Sequence, residues 1–303
     1  MGTPDFAVAS LDACLKEHEV VAVFTQPDRP KGRGKKMAPP AVKVRALEYD
    51  IPVYQPLKLK TSENVQILKD LSPDLIVVVA YGQILSKEIL DIPPKGCINV
   101  HASLLPKFRG ASPINWAIVQ GEKVTGVTTM YMDVGLDTGD MIEKVHVDIT
   151  DDMNYGELHD ILMAKGGELL ESTLKLIAAD KAPRTPQDDS ESNYAPLLNK
   201  SMGLIDWDEE AQAIVNKIRG LNPWPSATTK FEGNTMKIFS AVVDSDKVSG
   251  KPGEILKVDK TGLYVQASNG VVNVQLLQFP NSKRMHISQY ILGHDVPCGI
   301  ILG

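Results

Sequence analysis

The first half of the chain alternates helical and extended patterns, and this alternation restricts the fold more than any other feature. Val8, Leu11 and Leu15 have helical spacing, and the apolar residues 20–24 that follow have the character of a strand. Residues 75–80 and 97–100 are short apolar runs, typical of strands that are buried on both faces. The pattern predicts an α/β domain with a doubly wound, mostly parallel, Rossmann-like sheet.

A long helix and a polar segment follow this domain. Residues 155–179 have helical periodicity, and Gly166 and Gly167 predict a break within the helix. Residues 180–200 are polar and contain prolines, which is the composition of a linker. We therefore predict a first domain over residues 1–183 and a linker over residues 184–200.

The remaining residues, 201–303, predict a second domain that is largely β. Asp208 can cap a short helix that contains Ile214 and Ile218. From residue 227 onward the sequence predicts only short strands, which are separated by glycine-containing hairpin turns. Five such strands in so short a segment favour a small all-β barrel, closed or partly open, of the oligonucleotide-binding (OB) type.

Composition excludes several classes of protein. No apolar run is long enough for a membrane span and no signal peptide pattern is present, so we expect a soluble, cytoplasmic protein. The net charge of −6 argues against a general nucleic-acid binder, although a local basic patch can still bind RNA. The three cysteines have no metal-site or disulfide-framework spacing, and we expect no metal: Cys14, Cys97 and Cys298.

Two polar residues lie at the end of a predicted strand, where open α/β sheets place their ligand chemistry. Asn99 and His101 are two residues apart and therefore share one face of the extended chain. An amide beside an imidazole can stabilise an oxyanion and move a proton. The turn that follows at residues 132–141 contains three carboxylates, and spacing alone does not choose among Asp133, Asp137 and Asp140.

The motifs around these residues resemble the folate-dependent formyltransferases. The similar segments extend over nearly the whole chain and include GTPDFAV, FTQPDRPKGRGKK, VVVAYGQIL, NVHASLLPKFRGASP, GLDTGD and IRGLNPWP. The resemblance implies transfer of a formyl group from 10-formyltetrahydrofolate to the amino group of methionyl initiator tRNA. It also implies a catalytic trio of Asn99, His101 and Asp137, and a folate-binding segment formed by Ser103, Leu104, Leu105 and Pro106. We expect the protein to act as a monomer.

A basic segment near the N-terminus has the properties of a phosphate-binding loop. It places five positive charges close together and separates them with glycines that permit close backbone approach: Arg29, Lys31, Arg33, Lys35 and Lys36. Charge runs are usually solvated surface, but the resemblance implies that this loop contacts the tRNA acceptor stem. We therefore interpret these five residues as tRNA-binding.

The N-terminus differs from the family pattern. Family members have a β-strand directly before the GTPDFA segment, whereas this sequence begins at Met1, followed at once by residues 2–7. The strand would occupy a central position in a doubly wound sheet. We expect its absence to leave backbone groups and apolar surface of both neighbouring strands without partners.

Two other functions are compatible with parts of the sequence. A formyltransferase acting on a small amine, such as a glycinamide nucleotide or an amino sugar nucleotide, would share the Asn-x-His, Ser-Leu-Leu-Pro and Asp motifs. A non-catalytic RNA-binding module would retain the basic loop and the barrel but would not need Asn99, His101 and Asp137 together. The basic loop and the added β domain favour a tRNA substrate.

Overall fold

Contacts divide the chain into two compact units. The structure, a computed structural model, describes residues 1–303 except Arg33, Lys35 and the side chain of Lys31. The first unit is built from Met1–Ala111, Val124–Asp148 and His159–Ala195. The second unit is built from Ser112–Lys123, Ile149–Leu158 and Pro196–Gly303. Each unit therefore combines segments that are distant in sequence.

Helices and strands alternate through the first half of the described chain, and strands predominate near its end. The helices are α1 (Phe6–Glu17), α2 (Ala41–Leu47), α3 (Ser62–Leu71), α4 (Lys87–Leu90), α5 (Pro113–Val119), α6 (Tyr155–Ala178), α7 (Ala211–Gly220) and α8 (Ile287–Tyr290). The strands are β1 (Val23–Phe24), β2 (Arg29–Lys31), β3 (Lys36–Ala38), β4 (Val53–Tyr54), β5 (Ile76–Val78), β6 (Cys97–His101), β7 (Arg109–Gly110), β8 (Val124–Tyr131), β9 (Met141–Asp148), β10 (Tyr194–Ala195), β11 (Ala227–Phe231), β12 (Asn234–Ser245), β13 (Ile255–Asp259), β14 (Gly262–Gln266), β15 (Val271–Gln278) and β16 (Met285–His286). No helix in the described part of the chain is long and apolar enough to cross a membrane.

The first unit contains a mixed four-stranded sheet with the order β5-β6-β8-β9 and a separate pair of strands, β1 and β4. β1 pairs in parallel with β4, and β5 pairs in parallel with β6. β8 pairs antiparallel with both β6 and β9, so one side of the sheet is antiparallel. β6 and β8 are buried along nearly their whole length, and both contain polar residues as well as apolar ones. The first unit is therefore Rossmann-like, as the sequence predicts, with an antiparallel extension.

The first two residues occupy the gap between β1 and β5. Gly2 N donates to Phe24 O at 3.0 Å, and Val79 N donates to Met1 O at 2.9 Å. A cavity of about 530 Å³ lies beside Met1, lined in part by residues 20–23 and 74–77. The family pattern places a further strand at this position, directly before residues 2–7.

Helix α6 runs without interruption from Tyr155 to Ala178, so the predicted break at Gly166 and Gly167 is wrong. Both glycines face neighbouring elements at close range. A Cβ at Gly166 would lie 3.3 Å from Val100 Cγ1, and one at Gly167 would lie 3.1 Å from Ala9 O. The glycines permit close packing of the helix, and this packing compensates for their low helix propensity.

The second unit contains an antiparallel sheet. Its strand order is β11-β12-β15-β14-β13, and β16 pairs with β15. β12 is the longest of these strands and shows register shifts against β15, which bend a sheet. The pairings among the described residues follow an open path and do not close a barrel. The coarser prediction of a C-terminal sheet domain is confirmed.

Helix α7 packs within the second unit against α5. The side-chain amide of Asn115 in α5 donates to Gly220 O at the end of α7, at 2.7 Å. The predicted cap of α7 is wrong, because Asp208 lies before the helix and makes no cap contact with it. Instead, Ala211 N donates to Asn269 Oδ1 at 2.9 Å. A residue distant in sequence therefore accepts the hydrogen bond of the first N–H group of the helix.

Candidate active site

His101 is the last residue of β6 and is almost completely buried, with 6% of its surface exposed. Its Nε2 lies 2.9 Å from Phe108 O. Because a carbonyl oxygen only accepts hydrogen bonds, this contact places a proton on Nε2. Nδ1 is therefore the ring nitrogen that can exchange a proton with a reactant.

Asp137 lies close to both polar residues of β6. Asn99 Nδ2 donates to Asp137 Oδ1 at 3.4 Å, and His101 Nδ1 lies 3.7 Å from Asp137 Oδ2. Gly110 N also donates to Asp137 Oδ2, at 2.8 Å. The structure thus brings Asn99, His101 and Asp137 together, although Asp137 is distant from the other two in sequence.

The three carboxylates of the turn have different surroundings. Asp133 Oδ1 accepts hydrogen bonds from Gly135 N at 2.9 Å and from the Thr138 hydroxyl at 2.7 Å, which is ordinary turn chemistry. Asp140 lies 3.6 Å from the Arg184 guanidinium. Among these three residues, only Asp137 contacts the residues at the end of β6.

The backbone of the Ser-Leu-Leu-Pro segment is fixed by hydrogen bonds to the neighbouring strands. The Thr128 hydroxyl of β8 donates to Ser103 O at 2.7 Å and accepts from Leu105 N at 3.2 Å. Lys144 Nζ of β9 donates to Leu105 O at 2.5 Å. The segment is consequently a fixed turn beside His101.

Most side chains of this segment point into the protein. Ser103, Leu105 and Pro106 are buried, whereas Leu104 is half-buried. The Ser103 hydroxyl donates to Lys107 O at 2.6 Å, which closes the turn. Within the predicted folate segment, Leu104 is therefore the side chain with the largest surface available to a ligand.

Gln187 lies in the predicted linker but contacts the turn that contains Asp137. Its Nε2 donates to Asp137 O and to Gly139 O, each at 2.8 Å. Its Oε1 accepts from Arg109 Nε at 3.0 Å and from Arg109 Nη2 at 2.9 Å. Sequence reasoning missed this residue, because a glutamine in a polar, proline-containing segment is typical of a solvated linker.

Asn193 is a second residue from the predicted linker that contacts the site. Its Oδ1 accepts a hydrogen bond from Phe108 N, and Phe108 O is the partner of His101 Nε2. Arg109 N donates to Asn193 O at 3.1 Å, beside the parallel pairing of β7 with β10. The segment from Gln187 to β10 is therefore part of the first unit.

The basic segment includes a short antiparallel hairpin formed by β2 and β3. Arg29 pairs with Ala38 across this hairpin, and Lys31 pairs with Lys36. The Arg29 and Lys36 residues are exposed. Of the five predicted tRNA-binding residues, Arg33 and Lys35 lie outside the described residues, as does the side chain of Lys31.

Titratable side chains form no metal site in the part of the chain that the structure describes. No group of three or more histidine, cysteine, aspartate or glutamate residues has a geometry that could bind a metal ion there.

Comparison with family models defines the class of the protein. The formyl transferase family model matches residues 1–174, and the model of the formyl transferase C-terminal domain matches residues 197–295. The chain belongs to the formyl transferase family. The formyltransferase family predicted from the motifs is therefore confirmed.

Curated relatives are similar over the full chain. The methionyl-tRNA formyltransferase of Clostridium perfringens (strain 13 / Type A) is 56% identical over 303 residues, which cover 100% of this chain and 98% of the relative. The methionyl-tRNA formyltransferase of Acetivibrio thermocellus is 52% identical over 305 residues, with coverage of 100% and 98%.

A solved structure shows the same fold at low sequence identity. The N-formyltransferase from Helicobacter canadensis, in complex with folinic acid and dTDP-3-aminofucose, has a TM-score of 0.69 and 19% identity. The match covers 94% of this chain and 97% of that protein. The similarity therefore extends over both units of the fold.

Proposed function

We propose that this protein transfers a formyl group from 10-formyltetrahydrofolate to the amino group of methionyl initiator tRNA. Relatives with the name methionyl-tRNA formyltransferase are 51–56% identical and match the complete chain. The family models match both units, so the support includes the C-terminal domain as well as the catalytic motifs.

The convergence of Asn99, His101 and Asp137 is the observation that favours catalysis most strongly. The three side chains come from one strand end and one turn, and all three lie in the first unit. A non-catalytic RNA-binding module would not require this arrangement. We infer that these residues form the catalytic trio.

The chemistry of formyl transfer matches these side chains. The Asn99 amide and a protonated His101 can donate hydrogen bonds to the oxygen that becomes negative when an amine adds to a formyl carbonyl. The attacking amine must lose a proton, and the folate nitrogen must gain one when its bond to the formyl carbon breaks. His101 Nδ1, the ring nitrogen that Phe108 leaves available, can move this proton. Asp137 lies on the Nδ1 side of the ring and can stabilise the protonated imidazole.

The segment from Ser103 to Pro106 is the proposed folate-binding site. Its turn is fixed beside His101 by hydrogen bonds to Thr128 and Lys144, so it presents a preformed surface. Leu104 supplies apolar side-chain contact, and the buried residues Ser103, Leu105 and Pro106 determine the shape of the turn. The co-substrate 10-formyltetrahydrofolate supplies the formyl group at this surface.

The tRNA contacts are proposed for the β2–β3 hairpin region and for the C-terminal domain. The basic residues of the hairpin region are Arg29, Lys31, Arg33, Lys35 and Lys36. We keep the division into residues 1–183, a linker at 184–200 and a tRNA-binding, OB-like domain at 201–303 as a proposal. The register shifts of β12 against β15 favour a curved sheet, as in an OB-like domain. Affinity for tRNA should fall by about 0.7 to 0.9 log units for each phosphate contact per tenfold rise in salt.

We also propose that the protein acts as a cytoplasmic monomer. Its cosubstrate and its tRNA substrate are both soluble molecules. Sedimentation equilibrium at working concentrations should return the mass of a single chain, and a stable dimer would contradict the proposal.

The direct test is formyl transfer from 10-formyltetrahydrofolate to methionyl initiator tRNA. The same assay should include a small amino sugar nucleotide as acceptor and His101→Ala as the inactive control. We expect transfer to the tRNA only, and loss of this transfer in the variant. Transfer to the small amine instead would identify the protein as a small-amine formyltransferase.

A further inference from the structure

We propose that Gln187 is a positioning residue for catalysis, which fixes the turn that contains Asp137. This inference rests on the catalytic trio proposed above. Gln187 contacts the main chain of the turn and does not contact Asn99 or His101 in the structure. It therefore acts through Asp137.

The internal hydrogen bonds of the turn hold Gly135 and Thr138 to Asp133, whereas the backbone carbonyls of Asp137 and Gly139 are held from outside the turn. Asp137 has a φ of +54°, in the left-handed region that non-glycine residues seldom adopt. The preceding residues from Asp133 to Leu136 are exposed and belong to no strand. The two hydrogen bonds from Gln187 Nε2 stabilise the carbonyl groups of Asp137 and Gly139, on both sides of Thr138.

The partners of Gln187 determine the orientation of its amide. Two carbonyl oxygens require a donor on one side, and the Arg109 guanidinium requires an acceptor on the other side. A rotated amide would place its oxygen against the carbonyls of Asp137 and Gly139. The site is therefore complementary to an amide and not to a carboxylate of the same size.

Arg109 and Gly110 link this anchor to the reacting groups. Arg109 binds the Gln187 oxygen, and the next residue, Gly110, donates its N–H to the Asp137 carboxylate at 2.8 Å. The backbone of Asp137 and its side chain are thus both connected to β7. This double connection fixes the direction in which the carboxylate faces His101 and Asn99.

The test compares two variants of Gln187 with a matched control. Gln187→Leu removes every hydrogen bond of the side chain, and Gln187→Glu retains the contact with Arg109 but loses the donor. Asp189→Asn is the control, because Asp189 also contacts Arg109, at 2.8 Å, and is exposed. The readouts are kcat, the KM values for 10-formyltetrahydrofolate and methionyl initiator tRNA, and the Tm.

We expect both Gln187 variants to lower kcat by about tenfold or more, because small displacements of a catalytic group have large effects on rate. Both KM values should stay within about twofold of wild type, because the variants leave the substrate-binding segments in place. Asp189→Asn should behave as wild type. In the Asp137→Asn background the Gln187→Glu change should have no further effect, because the two residues act through one group.

Two results would overturn the proposal. The first is a wild-type kcat in Gln187→Glu, provided that Asp137→Asn has lost activity. Additive losses in the double variant would also overturn it, since they would show that Gln187 acts independently of Asp137. Full activity of Asp137→Asn would instead contradict the proposed catalytic trio itself.

Discussion

Asp137 is held by hydrogen bonds to its main chain and to its side chain, whereas Asp133 only closes the turn. We expect Asp137→Asn to lower kcat by about a hundredfold or more, because the amide cannot stabilise a protonated His101. The Tm should change little, since an asparagine can occupy the same volume. Steady-state kinetics of formyl transfer would measure the effect.

Asp133→Asn is the matched control for this prediction. It makes the same chemical change in the same turn, but its carboxylate contacts only Gly135 and Thr138. Its kcat should remain near that of wild type. Equal losses in the two variants would indicate that the turn tolerates no substitution, and near-normal turnover of Asp137→Asn would remove Asp137 from the mechanism.

We expect the cysteines to differ in reactivity because they differ in burial. Burial raises the pKa of the Cys97 thiol to about 12 and that of the Cys14 thiol to about 11, whereas Cys298 is exposed. Only the thiolate reacts with iodoacetamide, so at pH 8 we expect rapid labelling of Cys298 alone. Mass spectrometry of the native protein would locate the label, and equal labelling after unfolding is the control. Rapid native labelling of Cys97 would contradict its burial.

Some residues of the site could be predicted from sequence, and others could not. The positions of Asn99 and His101 follow from the two-residue period of a strand, which places both on one face, and from their location at the end of that strand. The choice of Asp137 among the three carboxylates needed the family resemblance, because the composition of a turn does not show which of its side chains faces the strand end. Gln187 and Asn193 had no sequence signal, since their role depends on a long-range contact between a polar segment and β7.

Element packing explains why local sequence signals failed in two helices. The glycines of α6 predicted a break, but they lie against Val100 and Ala9, and this tertiary packing compensates for their low propensity. Asp208 predicted the start of α7, but Asn269, which lies in a turn far along the chain, satisfies the N–H of Ala211. Strand positions were better predicted because buried strands are continuous apolar runs.

Helices α6 and α1 are in close contact where Gly167 faces Ala9. Gly167→Val should lower the free energy of unfolding by about 1 to 3 kcal/mol, because its side chain would overlap Ala9. Glu168→Ala is the control, since the adjacent Glu168 is exposed, and its effect should be within about 0.5 kcal/mol. Denaturant unfolding monitored by circular dichroism would measure both. An unchanged stability of Gly167→Val would show that the two helices can separate without cost.

The cavity beside Met1 has a volume of about 530 Å³ and is lined mainly by residues of the first unit's sheet and helices. Burial lowers the pKa of the Met1 amino group to about 6, which reflects the cost of a charged group at this position. A short upstream run of valine and isoleucine would fill apolar space and would replace the amino group by a peptide bond. We therefore expect this extension to raise the Tm.

A glycine-serine extension of equal length is the control for the cavity. It also removes the buried amino group but supplies no apolar side chains. Because it buries no apolar surface, it should raise the Tm less than the apolar extension does. Equal Tm values for the original protein and the apolar extension would show that the sheet gains no stability from added apolar side chains at this position.

The second unit is assembled from segments that are synthesised at different times. Residues 112–123, which include α5, belong to this unit together with the segment that begins at Pro196 and contains α7. A ribosome therefore releases α5 long before it has made the helix on which α5 packs. The nascent chain must keep the apolar face of α5 exposed or temporarily covered until its C-terminal third emerges. The second unit consequently cannot fold from one continuous segment, because two of its segments are synthesised before the first unit is complete.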